Sequence, residues 1–161
     1  MKPIPQSLRL GAFAGAVACA LAGSALAQQA PKPETLIKQR QSSFQVIAWN
    51  SGRIKADLDG TYNKDQVLKS ANVIAAIANS GLGSLFAPGT ETGKGWHDTT
   101  AKPELFTNGP HFAELGGAFA KESTELVRVV STGADAAAVK DQFAKLQHTC
   151  KSCHDDFRNA N

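Results

Sequence analysis

Near the end of the chain, Cys150-Lys151-Ser152-Cys153-His154 puts two thiols and an imidazole within five residues. Residues three and four apart share a face on an α-helix, so all three side chains can point the same way only if this segment is helical. Val139, Phe143 and Leu146 step toward the motif by three or four, and Phe157 continues the stripe beyond it. That is the spacing of an amphipathic helix, and any fold for this chain must end in one whose apolar stripe carries both thiols. C-x-x-C-H is also the attachment signal for c-type haem. Each thiol can form a thioether with a haem vinyl group while the imidazole reaches the iron. The competing reading is a Cys-x-x-Cys redox pair or structural disulfide followed by an incidental His. A redox pair of that kind sits beside a βαβ pattern, whereas helical spacing dominates this chain and no convincing period-2 segment appears.

The N-terminus reads as a secretory signal. Lys2 and Arg9 form a positive region, a small and apolar run extends from Leu10 to Ala22, and Ala25-Leu26-Ala27 offers an A-x-A cleavage site before Gln28. A permanent membrane span needs about 20 consecutive apolar residues; this run is shorter and rich in Ala and Gly, so none is expected. Cys19 raises lipoprotein processing as an alternative, but Ala16-Val17-Ala18 is a poor lipobox. The expected division is residues 1–27 as a cleaved signal peptide and 28–161 as one periplasmic domain. Losing Lys2 and Arg9 lowers the formal net charge from +3, leaving no argument for nucleic acid. Of three cysteines and one methionine, Cys19 and Met1 go as well.

Four helical stretches fill the remainder. The first opens at Pro33-Glu34, with Pro suited to a first turn and Glu34 to the positive end of the helix dipole. Ile37, Phe44, Ile47, Ala48, Ile54 and Leu58 form its inward face, and Gly60 ends it. The second opens at Asn63, where Asn63 and Gln66 resemble a capping box. It carries Val67, Ala71, Ile74 and Ala78 inward and stops near Gly81. Residues 81–109 form a loop rich in Gly, Pro, Thr and Asn, and loops of that length are often functional. The third starts around Pro110-His111, turns Phe112, Leu115, Phe119, Leu126 and Val130 inward, and ends before Gly133. Asp135 caps the fourth. With hydrophobic residues at 42% and charged residues at 19%, the expectation is an all-α, antiparallel four-helix bundle.

Axial ligation decides whether a haem carries electrons or binds a ligand. Without Met1, residues 28–161 contain no methionine to serve as a sixth ligand. His148 shares a helix with His154 and cannot reach the opposite haem face. His97, His111, a lysine or the α-amine stay open as alternatives. Five-coordinate iron with an open distal site is the expectation.

A secreted four-helix bundle with C-x-x-C-H on its last helix resembles the cytochrome c′ family, and other segments match. Arg40-Gln41 with Phe44 is similar to the family's Arg-Gln pair followed by its distal residue. Phe86-Ala87-Pro88-Gly89-Thr90-Glu91 resembles its loop after the second helix, and Lys102-Pro103-Glu104-Leu105-Phe106 the segment before the third. Cys153-His154-Asp155-Asp156-Phe157-Arg158 resembles its ending. The resemblance implies one haem c per chain, covalent through Cys150 and Cys153, with His154 as the proximal iron ligand. It implies Arg40 and Gln41 near the haem propionates, and Lys102 and Glu104 flanking the haem. Phe44 falls at the distal position, where Met marks the six-coordinate relatives. Arg158 falls beside the proximal pocket, a candidate for modulating proximal NO binding.

An apolar distal phenylalanine offers no hydrogen bond to bound oxygen, so NO and CO are favoured over O2. Val46 and Trp49 project away from the face of Phe44 and fit the family's homodimer through the first and second helices. The expected function is NO and CO binding for scavenging or storage. The alternatives are an electron-transfer cytochrome with a periplasmic redox partner, and a haem-free thiol–disulfide protein. No catalytic machinery stands out: there is no second metal motif, nucleophile elbow or phosphate-binding glycine loop.

Overall fold

The computed structural model describes residues 31–159; the signal-peptide expectation for 1–27 lies outside them. Pro33, which has no N–H to lose in a first turn, starts α1 (Pro33–Asp59), and Gly60 closes it by donating its N–H to Ala56. Four residues later comes α2 (Lys64–Ala78), capped by Asn63, whose side chain accepts from the Gln66 N–H at 3.1 Å. The reciprocal half of a capping box is not made. Instead Gln66 Oε1 accepts from Arg53 at 2.6 Å and ties the first turn of α2 to α1.

Residues 81–109 hold more regular structure than their composition suggests. They include a 3₁₀ turn (Leu82–Leu85) and the one-turn helix α3 (Glu104–Thr107). Helix α4 (Gly109–Ser131) then runs to a short connection, and Asp135 caps α5 (Ala136–Phe157) by accepting from the Ala138 N–H at 2.9 Å. Among the described residues there is no strand, only two isolated bridges, Lys94 with Asp98 and Ala101 with Arg158. Helix α1 packs on α2, α2 on α4, and α4 on α5. The four long helices form a bundle of the expected class.

The core is sealed unevenly along the bundle. Ile54, Val67, Ala71, Ile74, Leu126, Val130, Val139, Phe143 and Leu146 are all buried in one cluster. They come from the C-terminal halves of α1 and α4, from along α2 and from the N-terminal half of α5, which an antiparallel arrangement brings together. Toward the other end the inward stripes loosen. Phe44 is 37% exposed although Ile37, Arg40 and Ile47 on its face are buried. Ala48 is exposed as well, and Phe112, Leu115 and Phe119 of α4 are half-buried. The uninterrupted inward faces expected for α1 and α4 are thus broken at this level. Helix α1 packs on α2 and does not close against α5 as the other neighbouring helices close on one another.

At that end His111 joins α4 to α5. Its Nε2 lies 2.8 Å from Asp156 Oδ2 and its Nδ1 3.4 Å from Glu114, with its ring 5.5 Å from that of Phe157. The hydrogen bond with Asp156, then that with Glu114, raises the pKa of His111 above the ordinary histidine value. A group whose folded pKa is raised stabilises the fold fully below its unfolded pKa and loses that contribution as pH rises through the folded value.

Two outcomes follow from this packing. Ile74→Ala, at a fully buried position, should lower unfolding stability by about 2–5 kcal/mol, read as a reduced denaturant midpoint at constant slope. His111→Gln should cost stability fully at pH below about 6.5, the ordinary histidine value. Its deficit relative to the parent should shrink as pH is raised, in paired thermal melts.

Candidate haem site

Cys150 and Cys153 interrupt a stripe that is buried on either side of them: Leu146 is 1% and Phe157 4% exposed, whereas both cysteines are half-buried. No disulfide joins the two thiols, and burial pushes the pKa of each up. His154 follows on the exposed side. Partial desolvation and then the positive charge of Arg158 lower its pKa, favouring the neutral imidazole that binds metals. Two free thiols one turn apart, beside a neutral imidazole and an apolar surface that α1 does not close over, fit a flat, covalently held macrocycle. The donor set therefore suits a c-type haem.

The end of α5 is held by residues 100–103. Lys102 donates its backbone N–H to Phe157 O at 2.9 Å and its Nζ to Asp155 O at 2.7 Å, and the Asn159 N–H reaches Thr100 O at 2.8 Å. Lys102 and Arg158 thus meet at the turn carrying His154. Glu104 starts α3 with its side chain exposed, and its carbonyl accepts from the Asn108 N–H. No hydrogen bond joins it to the thiol-bearing turn among the described residues.

On α1, Arg40 is 3% exposed and makes no salt bridge among the described residues. Nη1 donates to Leu85 O at 3.2 Å and Thr90 Oγ1 at 2.7 Å; Nη2 donates to Thr90 O at 2.8 Å and Thr99 Oγ1 at 2.6 Å. Burial lowers its pKa, partly countered by the charge of Glu91. Gln41 works on the same loop, accepting from the Trp96 N–H at 2.7 Å and donating to His97 O at 2.9 Å. Gly95 permits this docking, because a Cβ there would lie 2.9 Å from the backbone nitrogen of Lys38.

Phe44 opens a ladder of rings that crosses to α5. Its centroid is 6.2 Å from Phe86, Phe86 is 5.1 Å from Phe112, and Phe112 is 6.0 Å from Phe157, each pair edge-to-face. The ladder links the break in the α1 stripe to the stripe of the two thiols. Phe112 and Phe157 were legible as inward residues. The linking role of Phe86 and the partnership of Thr90 and Thr99 with Arg40 were not, because an irregular loop has no periodicity to reveal them. The other histidines are engaged locally. His97 Nδ1 lies 2.8 Å from Asp98 O, His148 Nδ1 3.0 Å from Ser152 Oγ, and His111 is held by Asp156 and Glu114.

Comparison with known proteins agrees with this geometry. The family model for Cytochrome C' matches residues 35–158. The cytochrome c′ of Rhodocyclus tenuis is 62% identical over 128 residues, covering 79% of this chain and 96% of its own. A solved cytochrome c′ described as having ligand-controlled dimer dissociation is 43% identical with a TM-score of 0.78, covering 81% of this chain and 99% of its own. A ferrous variant of cytochrome c prime from Alcaligenes xylosoxidans, solved with NO bound, is 25% identical with a TM-score of 0.72, covering 83% of this chain and all of its own. A helical bundle, a C-terminal Cys-x-x-Cys-His and near full-length likeness converge on one assignment: the chain belongs to the cytochrome c′ family, whose members carry haem c.

Proposed function

We propose that this chain is a periplasmic haem protein that binds NO and CO at an apolar distal site, for scavenging or storage of NO. When bound, the haem would supply an iron that can take up a diatomic ligand. Cys150 and Cys153 would hold the group, and His154, whose pKa is lowered, would offer a neutral imidazole to the metal. Lys102, through Asp155 and Phe157, keeps that turn in place, and Arg158 adds positive charge beside the imidazole. Glu104 flanks this edge on α3.

The observation that carries the reading is the character of the opposite side. Phe44, Phe86 and Phe112 supply rings, with no methionine in residues 28–161. The terminal nitrogens of Arg40 are taken by Leu85, Thr90 and Thr99, and the Gln41 amide by Trp96 and His97. With these groups committed to the loop, the distal region lacks a ready donor for bound oxygen, which favours NO and CO. The NO-bound relative supports the same ligand class. Arg40 and Gln41 also lie on the helix that borders the site, where their loop fixes the edge near the propionates. Residues 1–27 support export to the periplasm.

A second copy of the chain is the proposed protein partner. Val46 and Trp49 of α1 and Val73 of α2 are 39%, 63% and 37% exposed. The Arg53 guanidinium lies 5.2 Å from the Trp49 ring and leaves most of the indole open. A relative with ligand-controlled dimer dissociation supports assembly of this kind.

Absorption spectra of the ferric and ferrous holoprotein should be high-spin and five-coordinate and should shift on adding NO or CO. A low-spin six-coordinate spectrum, unmoved by either gas, would overturn the reading in favour of electron transfer. Trp49→Glu should shift the sedimentation distribution from dimer to monomer at micromolar concentration while leaving the ferrous spectrum unchanged; an undisturbed dimer would remove this face from the interface.

A further inference from the structure

We propose that Phe86 is a positioning residue for the distal site, bracing Phe44 and so setting how readily a diatomic ligand enters. The inference rests on the distal reading of Phe44. A phenylalanine side chain selects among staggered rotamers, and a packed neighbour decides which one it holds. The neighbour here is the edge of Phe86, at 6.2 Å between centroids and 61° between planes.

Phe86 is itself held from several directions. Its N–H donates to Gly83 O at 3.1 Å, closing the 3₁₀ turn. The carbonyl just before it, on Leu85, accepts from Arg40 Nη1 at 3.2 Å. The guanidinium lies 4.8 Å from its ring centroid, within reach of a cation–π contact. Phe112 meets the ring from α4 at 5.1 Å and 65°. Arg40 cannot follow the ring if it moves, because its other bonds fix it to Thr90 and Thr99.

Arg40 and Phe44 are four residues apart on one face of α1, and Phe86 contacts both. A single loop side chain therefore carries the rigidity of the buried cation across one helical turn to Phe44. Removing its ring frees Phe44 without touching the thiols or the proximal imidazole.

The test is CO association with the ferrous holoprotein after flash photolysis, in the parent, Phe44→Ala, Phe86→Leu, Phe86→Tyr and the Phe44→Ala/Phe86→Leu double variant. Phe44→Ala should speed association about tenfold or more, and Phe86→Leu alone about threefold or more, by relieving steric access. The double variant should be no faster than Phe44→Ala. Phe86→Tyr, which keeps the ring, should retain the parent rate. An unchanged rate in Phe86→Leu, the same gain repeated on top of Phe44→Ala, or a Phe86→Tyr as fast as Phe86→Leu overturns the brace while leaving Phe44 distal. An unchanged rate in Phe44→Ala overturns both the brace and the distal reading beneath it.

Discussion

A buried cation held by neutral oxygens organises the half of the molecule that bears its chemistry. Moving a charge out of water is costly unless hydrogen bonds replace the lost hydration. Arg40 meets that demand with four bonds to neutral oxygens, three of them on Thr90 and Thr99 and one on Leu85. None of these acceptors belongs to a long helix; all lie in the segment between α2 and α3. The cation thus specifies where that segment must run along α1. Charge-assisted bonds are stronger than neutral ones, so a glycine- and threonine-rich stretch with little apolar content still takes a defined course.

The rest of the bundle is held by a different force. Branched aliphatic side chains close one end, where the hydrophobic effect needs no directional partner. The other end relies on rings, a loop and the clasp of residues 100–103 on α5. Division of labour follows from this asymmetry. The aliphatic end anchors the helices, and the aromatic end carries the ladder that reaches the stripe of Cys150 and Cys153. His154 gains its position from the same clasp, which secures the last turn of α5 from outside.

Helices were readable in the chain because they repeat. Pro33, Asn63 and Asp135 each mark a helix start that the structure bears out, and the stripe through Val139, Phe143, Leu146 and Phe157 is buried as its spacing implies. The thiols and imidazole were readable because their chemistry demands adjacent residues. Phe44 was legible as a member of the inward face, but its exposure was not, since burial depends on a neighbouring helix that local spacing says nothing about. The partners of Arg40 lie 45 to 59 residues away in sequence. Contacts at that separation inside an irregular loop leave no pattern in a single chain. Similarly, Gln66 looked like half of a reciprocal cap, and its pairing with Arg53 depends on how α1 and α2 come together.

Gly95 illustrates how narrow the allowance for change becomes where backbone meets backbone. The smallest possible side chain there would press against the Lys38 amide nitrogen and Ile37 Cγ2, each at 2.9 Å, and against Gln41 Oε1. Of these, the amide belongs to the rigid wall of α1 and cannot yield without disturbing the helix. Drift at this site is therefore blocked by the absence of room for even one methyl group, although the loop around it lies largely at the surface. A position that would be scored as ordinary coil from its neighbours carries the mutational intolerance usually associated with a protein's interior.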